Sequence, residues 1–227
     1  MIAAIVGATG LVGKALLEML LDSDRYHKVI VIGRSQPQLA AHHYGEEKLH
    51  FIQCQLDEIH EITLTDTIDH GFCCLGTTIQ KAGSQQAFID VDKVAVIAFA
   101  QLLKNQRHSK LVFQMISASN ANAESSLFYS RVKGETEQAL QQLALPHLQI
   151  FQPSLLLGHR DEHRPLEDIA QWLFGITAAT FIGPLKKYQP IKATAVAQVM
   201  FDSASSATAA VSIFDNTQIH LLTQEVS

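Results

Sequence analysis

The sequence predicts a doubly wound α/β fold, an open parallel sheet covered by helices on both faces. Three observations carry that expectation. Short apolar, β-branched runs alternate with longer segments of helical period along the chain. The regularly spaced glycines of GATGLVG, residues 7–13, stand directly after the first apolar run and directly before the first helical segment. A chain of 227 residues with 47% hydrophobic content is long enough to bury one full core. A single domain over 1–227 is expected, with residues 153–203 contributing a small C-terminal substrate lobe.

The elements follow in order. AAIV (3–6) and VIVI (29–32) are continuously apolar, as strands covered on both faces must be, and LVGKALLEMLLDS (11–23) is the helix crossing between them. LHFIQC (49–54), GFCCLG (71–76), KLVFQMIS (110–117) and LQIFQ (148–152) continue the strand series. Between the fourth and fifth strands, residues 86–106 carry Phe88, Val91, Ala95, Ala98 and Leu102 at helical spacing, which assigns that stripe to the core. A helix opening near Ser125 places Val132, Ala139, Leu140 and Leu143 on its apolar side and ends before Pro146. Past Pro153 come a charged loop over 158–165, a helix from Pro165 to about Phe174, and another from Thr194 to Ser203. VSIFDNTQIHLL (211–222) reads as two short strands around an Asp-Asn turn.

Composition excludes several classes. A formal charge of −5 without a Lys/Arg block gives no basic face for nucleic acid or an anionic membrane. No run reaches the roughly 18 apolar residues of a membrane span. The apolar N-terminus lacks the basic leader of a signal peptide and reads as a buried strand and loop. Cys54, Cys73 and Cys74 form no disulfide framework, which suits a reducing compartment and makes the cytoplasm the expected location.

Gly7, Gly10 and Gly13, with Thr9, Leu11 and Val12 between them, sit where a strand–turn–helix unit binds a pyrophosphate. Glycines there allow the tight turn and the close approach of backbone to phosphate, and the helix N-terminus supplies N–H donors. The end of the second strand then selects the cofactor. It carries Arg34 and Ser35, and no acidic residue lies between Asp24 and Glu46 to hold a ribose 2′-hydroxyl. Arg34 can pair a 2′-phosphate through two N–H donors, so NADP(H) is expected over NAD(H).

Tyr129 and Lys133 are four apart on a predicted helix and so share a face. A neighbouring ammonium favours the phenolate form of a tyrosine, and a phenol so tuned can pass a proton to or from a carbonyl oxygen as hydride moves at the carbon. Lys133 can also hydrogen-bond the nicotinamide ribose. Ser117, at the end of the fifth strand, can hydrogen-bond the same substrate oxygen, with Ser119 as its competitor.

These residues, in this order, resemble the short-chain dehydrogenase/reductase superfamily. GATGLVG, GFCCLGTTIQKAG, FYSRVKGE and FQPSLLLGHRDEHRP are similar to the atypical short-chain dehydrogenases of the Tat-interacting-protein type over nearly the whole chain. The resemblance implies that Leu75, Gly76 and Thr77 line the cofactor and that Pro153 and Ser154 sit beside the nicotinamide. Many members of the superfamily hold a proton-relay water with an asparagine after the fourth strand. This chain has Asp90 and Asp92 there, and its asparagine in that stretch is Asn105.

The expected function is thus an NADP(H)-dependent oxidoreductase acting on a small carbonyl or alcohol, compatible with a homodimer. The alternative is an NADP(H)-binding regulator or scaffold with a protein partner, and a nucleotide-sugar epimerase comes third because only about 75 residues follow the sixth strand. Semialdehyde dehydrogenases share such a glycine loop but need a cysteine nucleophile and a longer second domain. His159 and His163, and likewise His42 and His43, read as solvated loop rather than metal ligands. Trp172, Phe174 and Phe181 fall in the C-terminal portion, as core, interface or pocket lining.

Overall fold

The continuously apolar runs become the centre of one sheet. In a computed structural model that describes residues 1–39, 43–158 and 187–224, the chain runs β1 (Ile2–Val6), α1 (Leu11–Asp22), β2 (Lys28–Gly33), β3 (Leu49–Gln53), β4 (His70–Cys73). It continues through α2 (Ile79–Ala82), α3 (Gln85–Ile89), α4 (Ala95–Lys104), β5 (Val112–Ile116), α5 (Phe128–Gln142) and β6 (His147–Gln152). Then follow β7 (Leu156–Leu157), β8 (Ile191–Lys192), α6 (Ala193–Ser203), β9 (Val211–Asp215) and α7 (Asn216–Gln224).

Seven strands lie in the order β3-β2-β1-β4-β5-β6-β9, every pair parallel. Strand alternation divides the core in two. Ala3, Ile5, Val29 and Val31 face α1 and α6, with Leu16, Leu20, Val196 and Met200 completing that layer. Ala4, Val6, Ile30 and Ile32 face α4 and α5, against Phe99, Leu103 and Leu140. The winding reverses between β1 and β4, and a crevice at the carboxyl ends of the strands is the binding position such a reversal creates. β7 and β8 form a separate two-stranded parallel pair beside this edge.

Two stretches depart from the expected elements. Residues Asp90–Val94 form a π-helical turn between α3 and α4. The core stripe is Phe88, Ala95, Phe99 and Leu103, with Asp92 turned inward among them, while Val91, Ala98 and Leu102 are only partly buried. Residues 211–222 are one strand and one helix, not two strands. Asp215 Oδ1 accepts from the Gln218 N–H at 2.8 Å and Gln218 Oε1 accepts from the Asp215 N–H at 2.9 Å, a reciprocal cap that starts a helix where a turn was expected. Ile219 of that helix is fully buried.

The helix expected over 165–174, the aromatic residues Trp172, Phe174 and Phe181, and His42, His159 and His163 lie outside the described residues. So does most of the 153–203 segment.

Candidate active site

The glycine loop crosses the carboxyl edge between β1 and β4. Gly7 has φ 78°, and a Cβ on it would sit 2.5 Å from the Cys74 carbonyl carbon, so only glycine lets the loop pass that close to the end of β4. A Cβ on Gly13 would overlap the Gly7 carbonyl oxygen, which fixes how closely α1 packs on the loop. The Gly10 N–H donates to the Gly7 carbonyl at 3.1 Å and closes the turn. Gly10 also caps α1 without a side-chain hydrogen bond, and the first turn carries no acidic residue. Uncapped first-turn N–H groups with no carboxylate nearby suit a phosphate.

Within the loop, Thr9 is exposed, Leu11 abuts Gly158, and the Val12 side chain is buried in the core, leaving its backbone on the loop. Arg34 and Ser35 stand exposed directly past β2, and a Cβ on Gly33 would meet nothing within 4 Å. This cradle fits a nicotinamide dinucleotide: room at Gly33, donors at α1 and a cation at Arg34.

After β4, Leu75 is buried and Gly76 exposed, and the Thr77 N–H donates to Asp92 Oδ2 at 2.9 Å. After β6, Pro153 is buried. The Ser154 N–H donates to Asn216 Oδ1 at 2.9 Å and the Ser154 hydroxyl to the Gln189 carbonyl, which also accepts from Asn216 Nδ2 at 2.8 Å. Asn216, almost wholly buried, thus brackets the two chain segments that enter and leave the C-terminal portion.

Helix α5 holds Tyr129 in its first turn and Lys133 one turn later. It packs tightly on the preceding loop because Gly134 has no Cβ to strike the backbone of Asn122 and Ala123. The Tyr129 residue is 39% exposed, and its ring lies 5.5 Å from that of buried Phe88. Its hydroxyl makes no hydrogen bond to the described residues.

Lys133 is 3% exposed, and its Nζ pairs with Oδ1 of fully buried Asp92 at 2.7 Å. Burial pushes the Lys133 ammonium down, but the Asp92 carboxylate and the phenol of Tyr129 outweigh it and hold its pKa above the ordinary lysine value. Thr136 Oγ1 donates to the Asp92 carbonyl at 3.1 Å and locks the π turn against α5.

The Ser117 hydroxyl is buried and donates to Glu137 Oε1, two turns along α5 from Tyr129. Gln152 Nε2 donates to both Glu137 oxygens at 3.0 Å. Burial raises the Glu137 carboxyl above its usual range, with Ser117, Gln152 and Lys133 pulling the other way. Ser119 is partly buried, and its N–H donates to the Pro153 carbonyl at 3.1 Å.

Helix α5 therefore brings Tyr129 and Lys133 together at the carboxyl edge of the sheet, and Ser117 donates to Glu137 of the same helix. Burial pushes the thiol of Cys73, which faces Lys133, up to about 12 and that of Cys74 well above its ordinary value. The residues that sequence reading did not place are Asp92 as a partner of Lys133, Glu137, Gln152 and Asn216. An acidic residue inside the apolar 86–106 stripe was the available signal for Asp92, and the four-residue step from Lys133 was the signal for Glu137.

Residues 2–98 match the family described as semialdehyde dehydrogenase, NAD binding domain, a stretch that holds the glycine loop and stops short of Tyr129 and Lys133. Protein HTATIP2 of Rattus norvegicus is 36% identical over 174 residues, 75% of this chain and 69% of the relative. The chain belongs to the atypical short-chain dehydrogenase/reductase family, in the HTATIP2 branch.

The chain is also similar to Protein FMP52, mitochondrial, of Candida albicans, 31% identical over 204 residues, 88% of this chain and 86% of the relative. Among solved structures, the Bordetella bronchiseptica enzyme WbmH in complex with NAD+ superposes with a TM-score of 0.69 at 14% identity, covering 99% of this chain and 80% of that one. ElxO with NADP bound superposes at 0.66 with 16% identity, covering 96% and 98%. At such identities the likeness is one of fold, here the fold of NAD(P)-binding oxidoreductases. No helix among the described residues is long and apolar enough to cross a membrane.

Proposed function

We propose that the protein is an NADP(H)-dependent oxidoreductase that moves hydride between the cofactor and a small carbonyl or alcohol. The observation that carries this is the placement of Tyr129 and Lys133, one turn apart, at the same sheet edge as the glycine cradle. Bound NADPH supplies the hydride. Tyr129, whose hydroxyl is bound to nothing in the described chain, donates its proton to the carbonyl oxygen. The Lys133 ammonium stabilises the charge left on the phenol oxygen. Ser117 anchors the substrate oxygen, its hydroxyl turning from Glu137 Oε1 to the substrate. Ser119, two residues along, competes for that role.

Backbone N–H groups of the Gly7–Gly13 loop hold the pyrophosphate, the 75–77 loop lines the cofactor, and Pro153 and Ser154 flank the nicotinamide. Arg34 favours the 2′-phosphate. Replacing it with alanine removes a charge-assisted pair, so Arg34→Ala is expected to weaken NADPH affinity roughly ten- to hundredfold with little change for NADH. Fluorescence titration of both cofactors checks this, and equal losses for the two would remove Arg34 from the selection.

The function is tested by NADPH oxidation against a panel of aldehydes, ketones and quinones. Turnover of at least one is expected. Tight NADPH binding with no turnover would favour a second reading, a cofactor-binding scaffold. The observation behind it is that the polar atoms of Ser117 and Lys133 are both already engaged within the chain. For partners, the reading includes a homodimer, and the three free thiols suit the cytoplasm.

A further inference from the structure

An aspartate occupies the centre of the site, where neither the glycine loop nor the Tyr129–Lys133 pair requires one. Asp92 has no exposed surface, yet both carboxylate oxygens are engaged on different elements. Oδ1 meets Lys133 Nζ of α5 at 2.7 Å, and Oδ2 accepts from the Thr77 N–H of the loop after β4 at 2.9 Å. Asp92 stands four residues after buried Phe88 and three before buried Ala95, so it shares their inward face. A Cβ on Gly76 would come within 3.8 Å of Asp92 Oδ1, so the carboxylate lies just beneath that loop.

We propose that Asp92 is the positioning residue of this site: its carboxylate ties Lys133 to the 75–77 loop and fixes both the place and the charge of Lys133 against the cofactor. This rests on the reductase reading for the role of Lys133, but the tie itself does not. The groups that face Lys133 are Asp92 from the π turn, Tyr129 and Glu137 from α5 and Cys73 from β4. Of these, Asp92 makes the ion pair, so without its charge burial is left to drive the proton off the lysine.

Asp92→Asn separates charge from scaffold, because the amide oxygen keeps an acceptor for the Thr77 N–H while the negative charge is lost and an NH2 group replaces the oxygen that met Lys133. The proton state of Lys133 is read in 13C-lysine-labelled protein from the Cε resonance that disappears in Lys133→Met, and NADPH affinity is read by fluorescence. In Asp92→Asn, Lys133 is expected to lose its proton at least about one pH unit lower than in the wild type, a tenfold change in proton affinity. NADPH affinity is expected to fall in the same pH range. An Asn variant whose Lys133 titration and NADPH affinity match the wild type would overturn the proposal and leave Asp92 as a brace for the loop.

Should that variant not fold, the wild-type titration decides. A Lys133 step above the ordinary value of about 10.4 supports the tie, and a step below it overturns it. The reductase reading fails separately: a moved Lys133 titration with no carbonyl turnover in the wild type would keep the tie and discard the reaction.

Discussion

Tyr129→Phe is expected to lower turnover by about a hundred- to ten-thousandfold, the range in which a positioned proton donor contributes. The substitution removes one oxygen and keeps the ring, which packs on Phe88 at 5.5 Å, so the fold of α5 and its contact with α3 persist. The hydroxyl holds no partner in the described chain, and its removal leaves no buried donor or acceptor unpaired. NADPH binding and thermal stability should stay close to wild type. The pattern that identifies a proton donor is therefore a loss in kcat and kcat/KM together, with cofactor affinity unchanged. A variant that keeps more than about a tenth of wild-type turnover would take the proton transfer away from Tyr129.

The sheet was legible because a parallel strand covered on both faces is close to continuously apolar, and the AAIV run of β1 and the VIVI run of β2 are so written. The cradle was legible because glycine spacing has a steric cause that the overlap at Gly13 displays. Two things were hidden by local periodicity. A stripe extrapolated from Phe88 at steps of three and four reaches Val91 and Asp92 alike, and apolar character favours Val91 although Asp92 is the buried one. The cap between Asp215 and Gln218 uses residues that also favour turns, and only the buried Ile219 one position on separates helix from hairpin. Within the site, residue identity carried Tyr129 and Lys133, because a helix fixes which positions share a face. It could not carry the engagement of Ser117 by Glu137, or of Lys133 by Asp92, because those pairs are 20 and 41 residues apart and form only when β5, the π turn and α5 meet.

Lys133→Met should be the most destabilising single change in the site. Methionine matches much of the lysine stem in volume, so packing on α5 is largely kept. What it leaves behind is Asp92, with no exposed surface and the Thr77 N–H as its remaining side-chain partner. Breaking a buried pair in this way costs roughly 3–5 kcal/mol, which for a chain of this size lowers Tm by about 10 °C. The cost is that of an uncompensated carboxylate, so neutralising it should restore stability: Lys133→Met with Asp92→Asn is expected to unfold within a few degrees of wild type, while Lys133→Met alone does not. Because the folded-state pKa of Lys133 is raised, the stabilisation is complete below the unfolded value of about 10.4 and is lost as pH rises through the higher folded value. The gap between wild type and Lys133→Met should accordingly be full at neutral pH and close only in strong alkali. Calorimetric unfolding of the four proteins of this cycle measures the coupling directly. Additive losses in the double variant would mean that the two charges do not depend on each other, and that Asp92 has some other reason to be buried at the centre of the site.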